Sequence, residues 1–259
     1  MILRRLSQSL KQQNWTAIVI EFVLLVTGVF LGIQVSNWNQ QRATEAQARI
    51  FTDRLRNDLR VEAWRFAALN MYYADVTANV RKTLDGLEGR VPLSNDALVI
   101  AAYRATQYSE FVQYRATFDE LTSTGNIGLI EDLKLRRMAT EIYGTDLYRN
   151  VKNEGVNSLY RTEFRMRVPS HVQDVVGSVC GDHPTPINDY QAIVKSLDYA
   201  CSTGLSQPEI EGAATILRAD SGLVPLLRLR LANINSALNA QIMSDDVVAN
   251  LKALREGKP

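Results

Sequence analysis

The sequence predicts an all-α protein in which one N-terminal transmembrane helix continues into an extracytoplasmic helical bundle with one disulfide-stapled irregular loop. Three observations lead there. An apolar run from Trp15 to Val35 is long enough to cross a bilayer. Apolar residues then recur at three- and four-residue steps through most of the remaining chain. Two cysteines, Cys180 and Cys201, sit in the one stretch where that period is lost.

The run WTAIVIEFVLLVTGVFLGIQV has a single charge, Glu21, and is bracketed by Trp15 and Trp38, amphipathic rings that favour the two membrane interfaces. Arg4, Arg5 and Lys11 make a basic leader before it, which also fits the opening of a cleavable signal peptide. Against cleavage stand the length of the apolar segment, Glu21 within it, and the absence of a pair of small residues in Gln34-Val35-Ser36-Asn37-Trp38. An uncleaved anchor in the lipid bilayer is the preferred reading. Arg42, Arg49 and Arg54 balance the leader's charge, so Lys/Arg counting hardly orients the span. The leader lacks acids, and two distant cysteines suit an oxidising compartment. The expectation is therefore a single-pass protein of the bacterial inner membrane, with residues 1–14 cytoplasmic, 15–35 transmembrane and 36–259 periplasmic.

At ~100° per residue, Ala17, Glu21, Gly28 and Gly32 share one narrow face of the span. Gly28 and Gly32 form a GxxxG step that admits a close helix neighbour, and an ionisable residue in a membrane faces a partner by default. This predicts a homo-oligomer or a partner membrane protein docked through the span. The plainer account is that glycines are common in spans and that Glu21 reaches for the headgroups.

Composition narrows the rest. With the anchor set aside, the residues left suffice for one sizeable core, hence one extracytoplasmic domain. The 29 Lys and Arg against 28 Asp and Glu leave no field to attract nucleic acid, which is not expected as a partner. Glycine and proline are sparse, so disorder is expected only at the ends.

The first helix continues past Asn39 without a proline until Pro92, with Phe51, Leu55, Leu59, Phe66, Leu69, Tyr73, Val76, Val80, Leu84 and Leu87 as its apolar stripe. It should end between Gly86 and Gly89, and a break at Asn37 to Arg42 would relieve its unusual length. Ser94 is placed to cap a helix through Asp96 to Tyr103. A short helix from Tyr114 to Leu121 follows, closed by Gly125. After the tight turn Asn126 to Ile130, one long helix is expected from Glu131 to about Val168, stopped by Pro169. Its apolar positions are Leu133, Met138, Ile142, Leu147, Val151, Leu159 and Phe164, with Gly144 and Gly155 as its weak points. Ser170 to Leu205 reads as irregular, with Gly181, Asp182, His183 and Pro184 near the first cysteine. Ser206 to Glu209 is a capping box. A last long helix is expected from Val224 to Glu256, with Leu227, Leu231, Ile234, Leu238 and Ile242 inward, while Arg228 and Arg230 exclude a second span.

Two blocks together carry a resemblance. The first runs from Glu21 through Gly28, Gly32, Gln34 and Asn37-Trp38-Asn39; the second is Thr117 to Asp132, reading TFDELTSTGNIGLIED, followed by Leu135-Arg136 and Tyr143. This resembles an uncharacterised bacterial family of single-span membrane proteins, known only as a domain of unknown function. Gly32, Ser36, Phe118 and Thr124 stand where alanine, asparagine, tyrosine and serine are the family's commoner residues. The resemblance implies an anchor and a helical extracytoplasmic domain, and it carries no activity, so no catalytic residue is transferred.

The chemistry on offer is thin. His171, His183 and two cysteines are too few for a metal site of matched spacing, so neither metal nor other cofactor is expected. Pairing of Cys180 with Cys201 is the better use of the thiols, closing a loop whose constraint contributes roughly 3 kcal/mol in the chain-entropy account. His183 beside Cys180 is the sole Cys-His candidate, and no G-x-S-x-G, HExxH or phosphate loop occurs. Asp119, Glu120, Glu131 and Asp132 read as helix-capping acids, with Arg136 and Arg137 as their surface partners. The expected function is a non-catalytic, membrane-tethered helical module that binds a protein or ligand as a scaffold, assembly factor or sensor. The alternative is a periplasmic enzyme whose site forms between helices and the 170–205 loop, with Asp182 and His183 in it.

Overall fold

The computed structural model describes residues 15–144, 148–183, 196–239 and 245–256. The basic leader with Arg4, Arg5 and Lys11, and the positions Leu147, Pro184 and Ile242 named above, lie outside them. Among the described residues no strand occurs, in keeping with the all-α expectation. The chain divides into two units, residues 1–53 with 128–131 and residues 54–127 with 132–259.

Helix α1 is drawn as Trp15–Leu87, without the break anticipated at Asn37 to Arg42. No proline interrupts it, and Gln41 to Glu45 and Glu45 to Arg49 bridge successive turns at 3.0 and 4.0 Å. In the first unit its apolar part is exposed, from Trp15 and Phe22 to Leu25 and Trp38, and an 18-residue window has mean hydropathy 2.4 with nothing buried. By length and composition this helix can cross a membrane. Trp38 carries the Arg42 guanidinium 3.7 Å over its ring.

In the second unit Leu55, Leu59, Leu69, Tyr73, Val76, Val80 and Leu84 of α1 are buried, while Phe66 and Leu87 are half-buried. Around Leu59 the stripe widens, taking in Val61, Ala63, Trp64 and two acids, Asp58 and Glu62. Helix α2, Asn95–Arg104, begins as expected at Ser94, whose hydroxyl accepts the Ala97 N–H at 3.2 Å. Helix α3, Ala116–Ser123, ends ahead of Gly125, whose φ of 72° is one that a side chain disfavours. A 3-10 turn, Asn126–Leu129, follows.

The single helix expected from Glu131 to Val168 is instead three: α4 Leu133–Gly144, α5 Arg149–Val156 and α6 Leu159–Arg167. Ser158 turns extended at ψ 115° and its hydroxyl oxygen accepts the Arg161 N–H, so a cap that read as helix interior starts α6 afresh. The region from Ser170 also departs from expectation, because its first eleven residues form α7, Ser170–Cys180. Val172, Val176 and Cys180 are buried at four-residue steps, and Gly177 leaves room for the Tyr103 hydroxyl of α2, which a Cβ there would meet at 2.6 Å. Irregular chain begins only at Gly181.

Helix α8, Gln207–Ala219, opens with the Glu209 carboxylate accepting both the Ser206 N–H at 2.9 Å and its hydroxyl at 2.5 Å. Within the final expected helix the described residues form α9, Leu223–Asn239, and α10, Asp245–Arg255. The inward face of α9 is Leu223, Leu227, Arg230, Ile234 and Ala237; Leu231 and Leu238 are only half-buried. Helix α2 packs on α7 and α8, α9 on α5 and α6, and α10 on α4.

Candidate functional site

Helix α5 exists despite its sequence, RNVKNEGV, in which two asparagines and a glycine disfavour a helix by roughly 0.5 to 1 kcal/mol each relative to alanine. Two things hold it. Val151 and Gly155 are buried, Gly155 so close to Tyr108 that a Cβ would sit 2.3 Å from that residue's Cβ. Between them, on the α9 side, lies Glu154.

Arg230 of α9 is 1 % exposed and is the largest fully buried side chain among the described residues. Its Nε donates to the Ala105 carbonyl at 2.6 Å and its Nη2 to the Gln107 carbonyl at 2.7 Å, satisfying the chain just past α2. Nη1 donates to both Glu154 oxygens at 3.2 and 3.3 Å. Burial pushes the Glu154 carboxyl above the usual carboxylate range, and the adjacent guanidinium pulls it back.

This ion pair lies in the wall of a groove of about 520 Å³ between α5, the start of α6, and α9. Asn150, Asn153 and Asn157 line one side at steps of three and four residues; Asn233 and Ser236 line the other, with Leu226 and Leu229 beside them. Asn157 donates its amide to the Asn153 carbonyl at 2.9 Å. The side-chain amides of Asn150, Asn153 and Asn233 have no protein partner among the described residues. Tyr160 contributes only a buried edge, its hydroxyl donating to the Ala102 carbonyl at 2.9 Å. The groove carries no net charge, and its amides, each a donor beside an acceptor, are set among the aliphatic carbon of Leu159, Leu226, Leu229 and Ala237.

The disulfide expected from the sequence is present: Cys180 and Cys201 are bonded, with their Cα atoms 5.7 Å apart. This removes Cys180 as a nucleophile, correcting the Cys-His candidate. Arg104 of α2 gathers the stapled ends, donating to the Cys180 carbonyl at 2.9 Å, the Tyr199 carbonyl at 3.1 Å and Cys201 Sγ at 3.2 Å. Asp182 and His183 are directed to different partners. Tyr72 donates its hydroxyl to the Asp182 carboxylate at 2.9 Å, and His183 stacks on Tyr199 with centroids 3.8 Å apart.

The acids around Gly125 do not pair with Arg136 and Arg137 as expected. Arg115 takes Asp119 at 2.8 Å, Arg54 takes Glu120 at 2.7 Å and Arg56 reaches Asp132 at 3.5 Å. Asp132 does cap α4, accepting the Leu135 N–H at 3.0 Å. Trp15, Ala17, Glu21, Gly28, Gly32 and Trp38 all lie on α1, and a Cβ built at Gly28 or Gly32 meets nothing within 4 Å. Among the described residues no group of three or more His, Cys, Asp or Glu is placed to hold a metal.

A second polar cluster had no counterpart in the sequence reading. Glu62, 1 % exposed, accepts the Tyr148 hydroxyl at 2.7 Å and the Tyr114 N–H, while Asp58 accepts the Thr117 N–H at 3.0 Å. These two acids of α1 hold Tyr114 and the first turn of α3. Comparison of the chain with protein-family models, with curated proteins and with solved structures finds no match.

Proposed function

We propose that this protein is a membrane-anchored periplasmic binding module without catalysis, tethered through residues 15–35 in a bacterial inner membrane, N-terminus cytoplasmic, with its recognition site in the α5/α6/α9 groove. Membership of the single-span family that the anchor block resembles is part of the same proposal. The observation that carries it is the set of unpartnered amides in a groove whose charged groups, Arg230 and Glu154, already satisfy each other. Such a lining offers hydrogen bonds to a guest without presenting a nucleophile or a free base.

Site-specific photocrosslinking of the full chain in its native membrane tests this. A benzophenone side chain at Asn233 should yield a discrete adduct, and the same group at the exposed Arg137 should not. Equal, diffuse labelling from both positions would sink the reading.

A second contact surface is supported by the open face at Gly28 and Gly32, on which nothing lies within 4 Å of a would-be Cβ. Helix pairing through Ala17, Glu21, Gly28 and Gly32 should give a positive membrane-helix two-hybrid signal. Gly28→Leu with Gly32→Leu should weaken it, and an undiminished signal removes that surface from the proposal.

A further inference from the structure

Asparagine is a poor helix former, and α5 carries it at positions where the fold makes no use of the side-chain amide. Among the described residues Asn150 and Asn153 are exposed and their side-chain amides have no partner, as is the case for Asn233 opposite them. Positions that go against local preference with no compensating contact are where binding is to be sought.

A primary amide presents a donor and an acceptor side by side, the same pair that a peptide unit presents. Along α5, Asn150 to Asn153 advances ~4.5 Å and Asn153 to Asn157 ~6 Å, from the helical rise of ~1.5 Å per residue. An extended chain advances ~3.3 Å per residue, so one laid along the groove meets an amide every one to two residues. Asn233 and Ser236 face it from α9, and Leu159, Leu226 and Leu229 offer aliphatic surface to its side chains.

Other guests fit less well. The groove's cation and anion are bonded to each other, which leaves nothing for a phosphate or nucleic acid. Its one aromatic, Tyr160, is 1 % exposed and gives no face for a sugar or base to stack on. An amphipathic helix wants a continuous apolar trough, whereas here Asn150, Asn153 and Asn157 on one wall and Asn233 and Ser236 on the other interrupt the aliphatic lining. The volume of about 520 Å³ lies within the ~300–1,000 Å³ of specific ligand sites.

We infer that the α5/α6/α9 groove binds an extended, uncharged peptide segment chiefly through that segment's main chain. This rests on the binding-module reading above and names its ligand class.

The test uses the full chain in lipid nanodiscs and a phage-displayed library of random dodecapeptides, followed by synthesis of an enriched peptide. Asn153→Leu with Asn233→Leu should weaken binding roughly tenfold or more, the effect of losing hydrogen bonds to two groups. N-methylation of alternate backbone amides in the peptide should do the same with the protein untouched, so the result stands even where the double variant misfolds. No enrichment, indifference to N-methylation, or survival of binding when the peptide is locked as a helix by a staple between residues i and i+4 overturns the inference. Groove-specific photoadducts from Asn233 in that case leave the binding module standing with another ligand.

Discussion

The Tyr148 hydroxyl lies 2.7 Å from Oε2 of Glu62, tying a carboxyl group that is 1 % exposed on α1 to the chain just before α5. Burial raises the Glu62 carboxyl above its ordinary 4.5, against the lowering effect of the Tyr114 N–H, the Tyr148 hydroxyl and Arg65 at 3.6 Å. A carboxyl raised in the folded state favours folding while protonated. Its contribution is fully present below pH 4.5 and is lost as pH rises through the raised value. Glu62→Gln, which does not titrate, should therefore gain on the parent between pH 4.5 and 7 in thermal unfolding of the detergent-solubilised chain. Parallel curves across that window would contradict it. Tyr148→Phe leaves Oε2 without its donor and should lower stability by about 1–3 kcal/mol at neutral pH.

Arg230 and Glu154 are unequal partners. Removing the guanidinium by Arg230→Met strands a buried carboxylate and two carbonyls, those of Ala105 and Gln107, and should destabilise by about 3–5 kcal/mol in denaturant unfolding. Glu154→Gln keeps an acceptor for Nη1 and leaves both carbonyl bonds in place, so about 1 kcal/mol is expected. Similar losses from the two variants would show that the carbonyl bonds contribute little.

The stapled segment gives the third expectation. Joining Cys180 to Cys201 across a separation of 21 residues should contribute about 3 kcal/mol. Cys180→Ser with Cys201→Ser should then lower the melting temperature by roughly 6–12 °C, at 2–4 °C per kcal/mol for a chain of this size. Differential scanning with and without reductant reads it, and the parent under reductant should approach the double variant.

Why some of this was legible and some not follows from the range of each signal. The long apolar helix from Trp15, the Ser94 cap, the Ser206 to Glu209 motif and the Cys180–Cys201 bond are local or nearly so, and all four appear in the structure. The split at Ser158 went unseen, because helix-compatible residues lie on both sides of it and tertiary contacts decide, whereas Gly144 was marked as a weak point. Arg230 was read only as a charge arguing against a second span, and it sits at an inward position of α9 beside Leu227 and Ile234. Only its partners, 76 to 125 residues earlier in the chain, reveal the reason, and no local pattern records them. The two asparagines of α5 and Asn157 just past it were visible as three in eight residues from Asn150 to Asn157, a cluster worth weighing as a surface.

Gly155 is the position where two rules oppose each other. Alanine in the middle of a helix gains up to about 1 kcal/mol over glycine, so propensity alone makes Gly155→Ala stabilising. The added Cβ, however, would stand 2.3 Å from Cβ and 2.6 Å from Cγ of Tyr108. Those atoms are the root of the side chain and cannot swing clear, and the Tyr108 ring also carries the Arg161 guanidinium at 4.8 Å. Overpacking of this kind typically destabilises by about 1–3 kcal/mol, which outweighs the propensity gain. The variant should lose stability, and Tyr108→Gly, which removes that Cβ, should relieve the clash, so the double-mutant cycle should show a favourable coupling above roughly 0.5 kcal/mol. Additive effects in that cycle would mean that α5 does not rest on Tyr108, and the wall of the asparagine groove would then need another support.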